Sequence, residues 1–342
     1  MPFFDDSRLD DRRALEASDQ VLRRLAQAGA RVRTEAAQSA DPLAVVAELP
    51  RPRAVIAVGS EARLIRAILE PTCPVPFVAW SRHGLPGWVG ALDLVLVLAT
   101  DGNDPTLIAT TREAQRRGSQ LIIACPQPSS IAEYVTGRDS ILLPTTTSDT
   151  LAAAVVVLAA LHRMQLGPAV NTDALADTFD GVAEECSPYV DLSENPAKDL
   201  ALGLAEAQPL VWGGSVLAGR ASRRIAEALR AASGRAALAA DGQALMPVLG
   251  AVPPKDPFAD PFEAGESDRR PTLVILDDGN SDQVTLAEQN RLREMADAAD
   301  VRVCPIQHNS GGDLDRYVGL LQVGLYGAVY LAVGLGQPTG SD

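Results

Sequence analysis

Four short polar segments hold the residue types best suited to chemistry: Gly59-Ser60, Asp101-Gly102-Asn103, Gly214-Ser215 and Asp278-Gly279-Asn280-Ser281. Each follows an apolar run and opens a stretch with helical spacing. Glycine lets a backbone come close to a ligand, and the N–H groups that begin the next helix point at an anion. Ser60, Ser215 and Ser281 add hydroxyl donors. Residues of these types suit the cradling of a phosphate group. They are also ordinary turn and N-cap formers, which any α/β protein needs. Asp101 and Asp278 bring negative charge to two of the loops, which opposes an anion there. Ligand loop and plain turn both stay open at this point. The candidate ligand residues are Gly59, Ser60, Asp101, Gly102, Asn103, Gly214, Ser215, Asn280 and Ser281.

These loops need strands and helices to hold them. Arg53 to Val58 is a short apolar run that predicts a buried strand entering a helix to Glu70. Val75 to Ala79, Leu92 to Ala99, Gln120 to Cys125 and Ser140 to Pro144 predict further strands, with helices over 106–117 and 148–163. The order then returns. Strands at Gln208–Trp212, Thr272–Leu276 and Val301–Pro305 alternate with helices reaching about Ala232 and Ala299, and a last helix follows. Landmarks recur in the same sequence: Gly-Ser, Asp-Gly-Asn, Cys-Pro, at 59, 101 and 125 and again at 214, 278 and 304. Such recurrence predicts a duplicated unit. Residues 8–35, with Leu9, Leu15, Leu22 and Leu25, read as one amphipathic helix. The expected fold class is α/β: two tandem, doubly wound parallel-sheet domains with flanking helices. The expected boundaries are 1–35 for an N-terminal helix, 36–165 for the first domain, 166–204 for a helical crossing and 205–336 for the second domain. Residues 253–271 read as an exposed insertion. In such sheets ligands bind at the carboxyl ends of the strands, where all four loops fall.

Composition narrows the partners. The chain has 342 residues, 46% of them apolar but only 4% aromatic, so its cores must be Ala, Leu and Val packed closely. A formal charge of −14 argues against nucleic acid or an anionic membrane surface as a partner, since each requires a basic face. Leu151–Leu161 is too short an apolar run to cross a bilayer, and the charged opening residues contain no signal-peptide pattern. The four cysteines, at 73, 125, 186 and 304, have neither metal-ligand spacing nor a CxxC pair. They read as small buried hydrophobes of a reducing compartment. The expectation is a cytoplasmic protein without metal or cofactor.

The order of strand, Gly-Ser loop, helix, strand and polar Gly-Asn loop resembles the sugar isomerase (SIS) domain. Two in tandem resemble the bifunctional phosphoglucose/phosphomannose isomerase family, particularly its divergent TobH-type members. Supporting segments are Leu85-Pro86-Gly87-Trp88-Val89-Gly90, Asp101-Gly102-Asn103, Asn195-Pro196-Ala197-Lys198 and Ala328-Val329-Tyr330-Leu331-Ala332. The resemblance covers residues 40–335 and implies tandem SIS domains that bind a hexose 6-phosphate or related phosphosugar, working as a homodimer. It also implies a glutamate that moves a proton between C1 and C2 of the open-chain sugar and a histidine that opens the ring. Alignment on the helix after Gly214-Ser215 puts Glu227 at the glutamate position, and His308 is the candidate ring opener. The family histidine position itself holds Asp241-Gly242-Gln243. The arginine near the last strand of the first domain is missing from Leu143–Ser148, and the C-terminal lysine has no counterpart. Losing a ring-opening acid or base costs about 10²–10⁴-fold in rate. The readings left open are an aldose–ketose isomerase, a non-catalytic sugar-phosphate-binding regulatory protein, and a structural dimer scaffold.

Overall fold

Alternating strands and helices close into two parallel sheets in the computed structural model, which describes residues 3–135, 139–254, 269–280 and 282–337. In chain order the helices begin with α1 (Arg12–Glu16), α2 (Asp19–Ala26), α3 (Ala28–Gln38) and α4 (Ala40–Val46). The first sheet comprises β1 (Val55–Gly59), β2 (Phe77–Ala79), β3 (Leu94–Leu98), β4 (Gln120–Cys125) and β5 (Ser140–Pro144). Helix α5 (Ala62–Leu69) follows β1, α6 (Pro105–Arg116) follows β3 and α7 (Thr150–Arg163) follows β5. After α8 (Thr172–Glu185) and α9 (Pro196–Leu204), the second sheet comprises β6 (Gln208–Gly213), β7 (Leu238–Ala239), β8 (Pro271–Asp277) and β9 (Arg302–Gln307). Its helices are α10 (Val216–Ser233), α11 (Gly242–Gly250), α12 (Gln283–Ala298) and α13 (Asp313–Gly334).

The strand orders match. The first sheet runs β2-β1-β3-β4-β5 and the second β7-β6-β8-β9, all parallel. Registers pair Val55 with Leu94 and Leu94 with Gln120 in one, Gln208 with Pro271 and Thr272 with Arg302 in the other. Continuous apolar runs such as Leu94–Leu98, buried along their full length, are what a sheet covered on both faces demands. The chain divides into two compact units: unit 1 holds residues 1–27 and 177–342, and unit 2 holds residues 28–176.

The single helix expected over 8–35 is instead a 3₁₀ turn at Asp6–Leu9 followed by α1, α2 and α3. A local cap sets the first break: the Asp11 carboxylate accepts from the Arg13 amide and opens α1, after the 3₁₀ turn that Asp5 caps through Ser7. Leucine spacing alone carried the helical period across these breaks. The short β7 was not anticipated from the sequence. The proposed insertion, 253–271, falls largely outside the described residues.

At the amino ends of the first sheet, buried Asp93 takes both Arg53 Nε (3.0 Å) and Nη2 (2.7 Å), and also the Gly90 amide. Arg117 Nη1 donates to the carbonyls of Pro86 and Val89. The Leu85–Gly90 segment therefore serves as a brace at the edge opposite the carboxyl ends of the strands. In unit 1, α13 has the length and hydropathy of a membrane span, yet 94% of its apolar window is buried inside the protein. Glycines along it seat neighbouring side chains: Ile225 of α10 at Gly324, Leu200 of α9 at Gly327 and Phe4 at Gly334. Beside it, fully buried Lys198 donates to Asp10 Oδ1 (2.7 Å) and to the carbonyls of Val190 (2.9 Å) and Pro188 (3.2 Å). Its ammonium lies 5.8 Å from the Tyr330 ring centroid.

Replacing Asp10 by Ala withdraws the carboxylate from a buried ammonium. The expected cost is about 1.5–3 kcal/mol, a charge-assisted hydrogen bond. Urea unfolding of the intact chain measures it, and a loss below about 0.5 kcal/mol would show that the two carbonyls suffice.

Candidate functional site

In unit 2 the loop after β1 is set by close packing. Gly59 has a φ of 94°, and a Cβ there would come within 2.0 Å of the Leu98 carbonyl oxygen. Only glycine lets β1 end against β3 in this way. The Ser60 amide turns back to that same carbonyl at 3.3 Å. Its hydroxyl is buried with no hydrogen-bond partner among the described residues. Glu61 follows in the left-handed region (φ 54°) and accepts from the Thr150 hydroxyl at 3.3 Å.

The loop after β3 is tied down by its own carboxylates. Asp101 Oδ1 accepts from the amides of Asn103 (2.6 Å) and Asp104 (3.0 Å), and Asp104 caps α6 through Thr106 and Leu107. Asn103 Oδ1 then accepts from the Ser130 hydroxyl (2.9 Å) and amide (3.3 Å), lacing this loop to the segment after β4. Between the two lies an open cleft of about 490 Å³, lined by Asn103, Gln127, Pro128, Ser129, Ser130, Ala132 and Glu133. The Ser129 hydroxyl accepts from the Ala132 amide (3.3 Å) and donates only to Cys125 Sγ (3.6 Å), a weak acceptor. Its proton can turn to a ligand at little cost.

Elsewhere the strand ends are closed by the protein's own carboxylates. Buried Glu35 of α3 accepts from the amides of Thr146 (3.0 Å) and Thr147 (2.7 Å) and from the Thr147 hydroxyl (2.5 Å), just after β5. In unit 1 Ser215 caps α10 through the Ala218 amide, and its hydroxyl donates to Asp278 Oδ2. Asp277 and Asp278 accept from the amides of Gly279 and Asn280, and Asn280 in turn from that of Asp282. A Cβ on Gly214 would come within 2.2 Å of the Thr285 methyl, so little room is left beside Ser215.

Of the predicted ligand residues, Gly59, Ser60, Asp101, Gly102 and Asn103 gather at one edge of the first sheet, and Asn103 lines the cleft. Gly214, Ser215 and Asn280 gather at the corresponding edge of the second sheet, and Ser281 lies outside the described residues. Glu227 is exposed in the fourth turn of α10, about 18 Å along the axis from Ser215 at 1.5 Å per residue. The structure does not bring it to that loop. His308 follows β9, its amide bonded to the Asp277 carbonyl at 3.0 Å. Its ring sits on Gly319 of α13 and reaches the Ser310 hydroxyl through Nε2 at 3.3 Å. Burial lowers its pKa below the ordinary histidine value, against the smaller opposing pull of Glu185 and Asp315. Among the described residues no three His, Cys, Asp or Glu side chains converge to hold a metal. The thiols are free, and burial raises those of Cys125 and Cys304 and pushes that of Cys186 up to about 12.

Sequence reading missed Gln127, Ser129 and Ser130. The signal was a polar, proline-rich stretch directly after a buried strand, where only its Cys-Pro landmark drew notice. Glu35 was missed too, because a carboxylate inside a helical pattern looks solvated until the loop it meets is known.

Two outcomes follow. Gly59→Ala forces both a disfavoured φ and a backbone clash, so it should cost at least about 2 kcal/mol in thermal or urea unfolding. For His308 the folded-state pKa is depressed, so the unfolded state takes up more protons as pH falls through the window just below the ordinary histidine value. Stability present above about 6.5 is lost on acidification through that window. His308→Gln should fall less steeply between pH 7.5 and 5.5 than the parent chain, and equal slopes would remove His308 from this role.

Residues 193–339 match the family described as bacterial phospho-glucose isomerase C-terminal SIS domain. No curated protein sequence matches the chain closely enough to count as a relative. Among solved structures, tagatose-6-phosphate ketose/aldose isomerase from Escherichia coli is similar over 96% of each chain, with TM-score 0.62 and 13% identity. The C-terminal domain of glucosamine-fructose-6-phosphate aminotransferase from Francisella tularensis aligns over 91% of this chain and 95% of its own, with TM-score 0.60 and 12% identity. The chain thus has the parallel α/β fold of SIS-domain phosphosugar isomerases, and residues 193–339 match the C-terminal SIS domain of the bacterial phosphoglucose isomerases.

Proposed function

We propose that this chain binds a phosphorylated sugar in the cleft between the ends of β3 and β4, without isomerising it. The observation that carries the reading is the cleft itself, lined by Asn103, Gln127, Ser129 and Ser130 at the carboxyl edge of a parallel sheet, with the Ser129 proton spent on a weak sulfur acceptor. Hydroxyls and amides can satisfy phosphate oxygens without formal positive charge. The names of the similar structures, a tagatose-6-phosphate isomerase among them, support a sugar-phosphate ligand class.

Isomerisation is the second reading, favoured by the match of residues 193–339 to a phosphoglucose isomerase domain. It would assign Glu227 as the proton carrier and His308 as the ring opener. The exposed position of Glu227 far along α10, and the seating of His308 against α13, weigh against it. The remaining candidate loops would then serve as structural turns, with Asp278 where an anion would sit.

Thermal shift and calorimetry with glucose, fructose and mannose 6-phosphates test the proposal, because a ligand that binds only the folded state raises its melting temperature. Asn103→Ala and Ser130→Ala should each weaken binding about 2–10-fold, the range for one neutral hydrogen bond. Glu227→Gln should leave binding unchanged. Absence of binding with every hexose 6-phosphate removes the proposal, and turnover abolished in Glu227→Gln would establish the isomerase instead.

A further inference from the structure

We propose that the loop between α8 and α9 is a docking point for a basic protein segment, with the Tyr189 ring as its anchor. Tyr189 is 93% exposed, while Tyr317, Tyr326 and Tyr330 are buried. The loop that carries it is held from within. Fully buried Lys198 donates to the carbonyls on either side of Tyr189, those of Pro188 (3.2 Å) and Val190 (2.9 Å). Buried Asn195 donates Nδ2 to the Ser187 carbonyl (3.0 Å), and the Tyr330 hydroxyl donates to that of Cys186 (2.6 Å). The Val190 amide closes the turn on the Ser187 carbonyl (3.0 Å). The side chains of Asn195 and Lys198 thus fix a turn whose outermost ring touches water.

An aromatic ring held out on a fixed loop loses little entropy on binding, which is how tyrosine anchors interfaces. Its surroundings select the partner. From Met164 to Ala197 the chain contains no lysine or arginine, and exposed Glu184, Glu185, Asp191 and Glu194 flank Tyr189 in sequence. Asp191 Oδ1 accepts from the Ser193 hydroxyl (2.6 Å) and amide (2.9 Å), bonds that hold its carboxyl below the ordinary range. Arg23 of α2 lies near enough for its charge to reach the Tyr189 phenol, but it is already paired with Asp19 at 2.6 Å. A guanidinium or ammonium can stack on the ring face while these carboxylates meet neighbouring cations. A second copy docking through the same turn would bring matching carboxylates, so the charge points to a basic partner.

Calorimetry of the full chain with an oligoarginine peptide, at about 0.15 M salt, tests this. Tyr189→Ala should weaken binding about two- to fivefold, the range of an exposed cation–π contact, while Tyr189→Phe keeps the parent affinity. Trp88→Ala, which removes an exposed aromatic of unit 2, should change nothing. Oligoglutamate should not bind. Equal affinities of Tyr189→Ala and the parent would show a peptide held only by the formal charge of −14, and would overturn the anchor. Absence of oligoarginine binding, or binding of oligoglutamate, overturns the basic partner. So does a parent dimer that Tyr189→Ala converts to a monomer in sedimentation, since a second copy then covers the ring.

Discussion

A backbone amide at the carboxyl end of a parallel strand must find an acceptor, since the sheet has stopped and the next helix has not yet begun to supply one. This requirement organises both sheets. After β5 the acceptor is Glu35, reaching from α3 to Thr146 and Thr147. After β3 it is Asp101, and after β8 it is Asp277 and Asp278. At these strand ends the protein's own carboxylates accept the loop amides. In the cleft beside Asn103 one hydroxyl is left nearly free, since the Ser129 proton is spent on a sulfur atom.

The fold was readable from sequence because its signals are local and redundant. Fully apolar strands, glycine at their ends and matching landmarks in two halves each point to parallel sheets, and an error in one leaves the others standing. The first helix shows the limit of such signals. Leucines at helical spacing persist across Asp11, and periodicity cannot reveal that its carboxylate has turned back to cap a new helix.

The site was less legible, for a different physical reason. Gly59 and Gly102 were singled out as places where a backbone could approach a ligand, whereas the structure shows glycine needed there for close contact with Leu98 and Ser129. Asn103 lines the cleft, yet its partner Ser130 is distant along the chain and could be joined to it only by the adjacency of β3 and β4. Glu227 was placed by resemblance to a family position, although twelve residues of helix already put it about 18 Å along the axis from Ser215. Buried polar groups such as Glu35 and Lys198 are equally opaque, since their partners are set by tertiary contact across long sequence separations.

Asp5 donates its amide to the Gly334 carbonyl, and Arg8 donates Nε to that of Val333. Unit 1 is accordingly assembled from two stretches of polypeptide separated by all of residues 28–176. Unit 2 is continuous, and can collapse while later codons are still being read. Its partner has to wait for α13 to leave the ribosome before the earliest turns have a surface to settle on, so synthesis builds the middle of this protein before its ends.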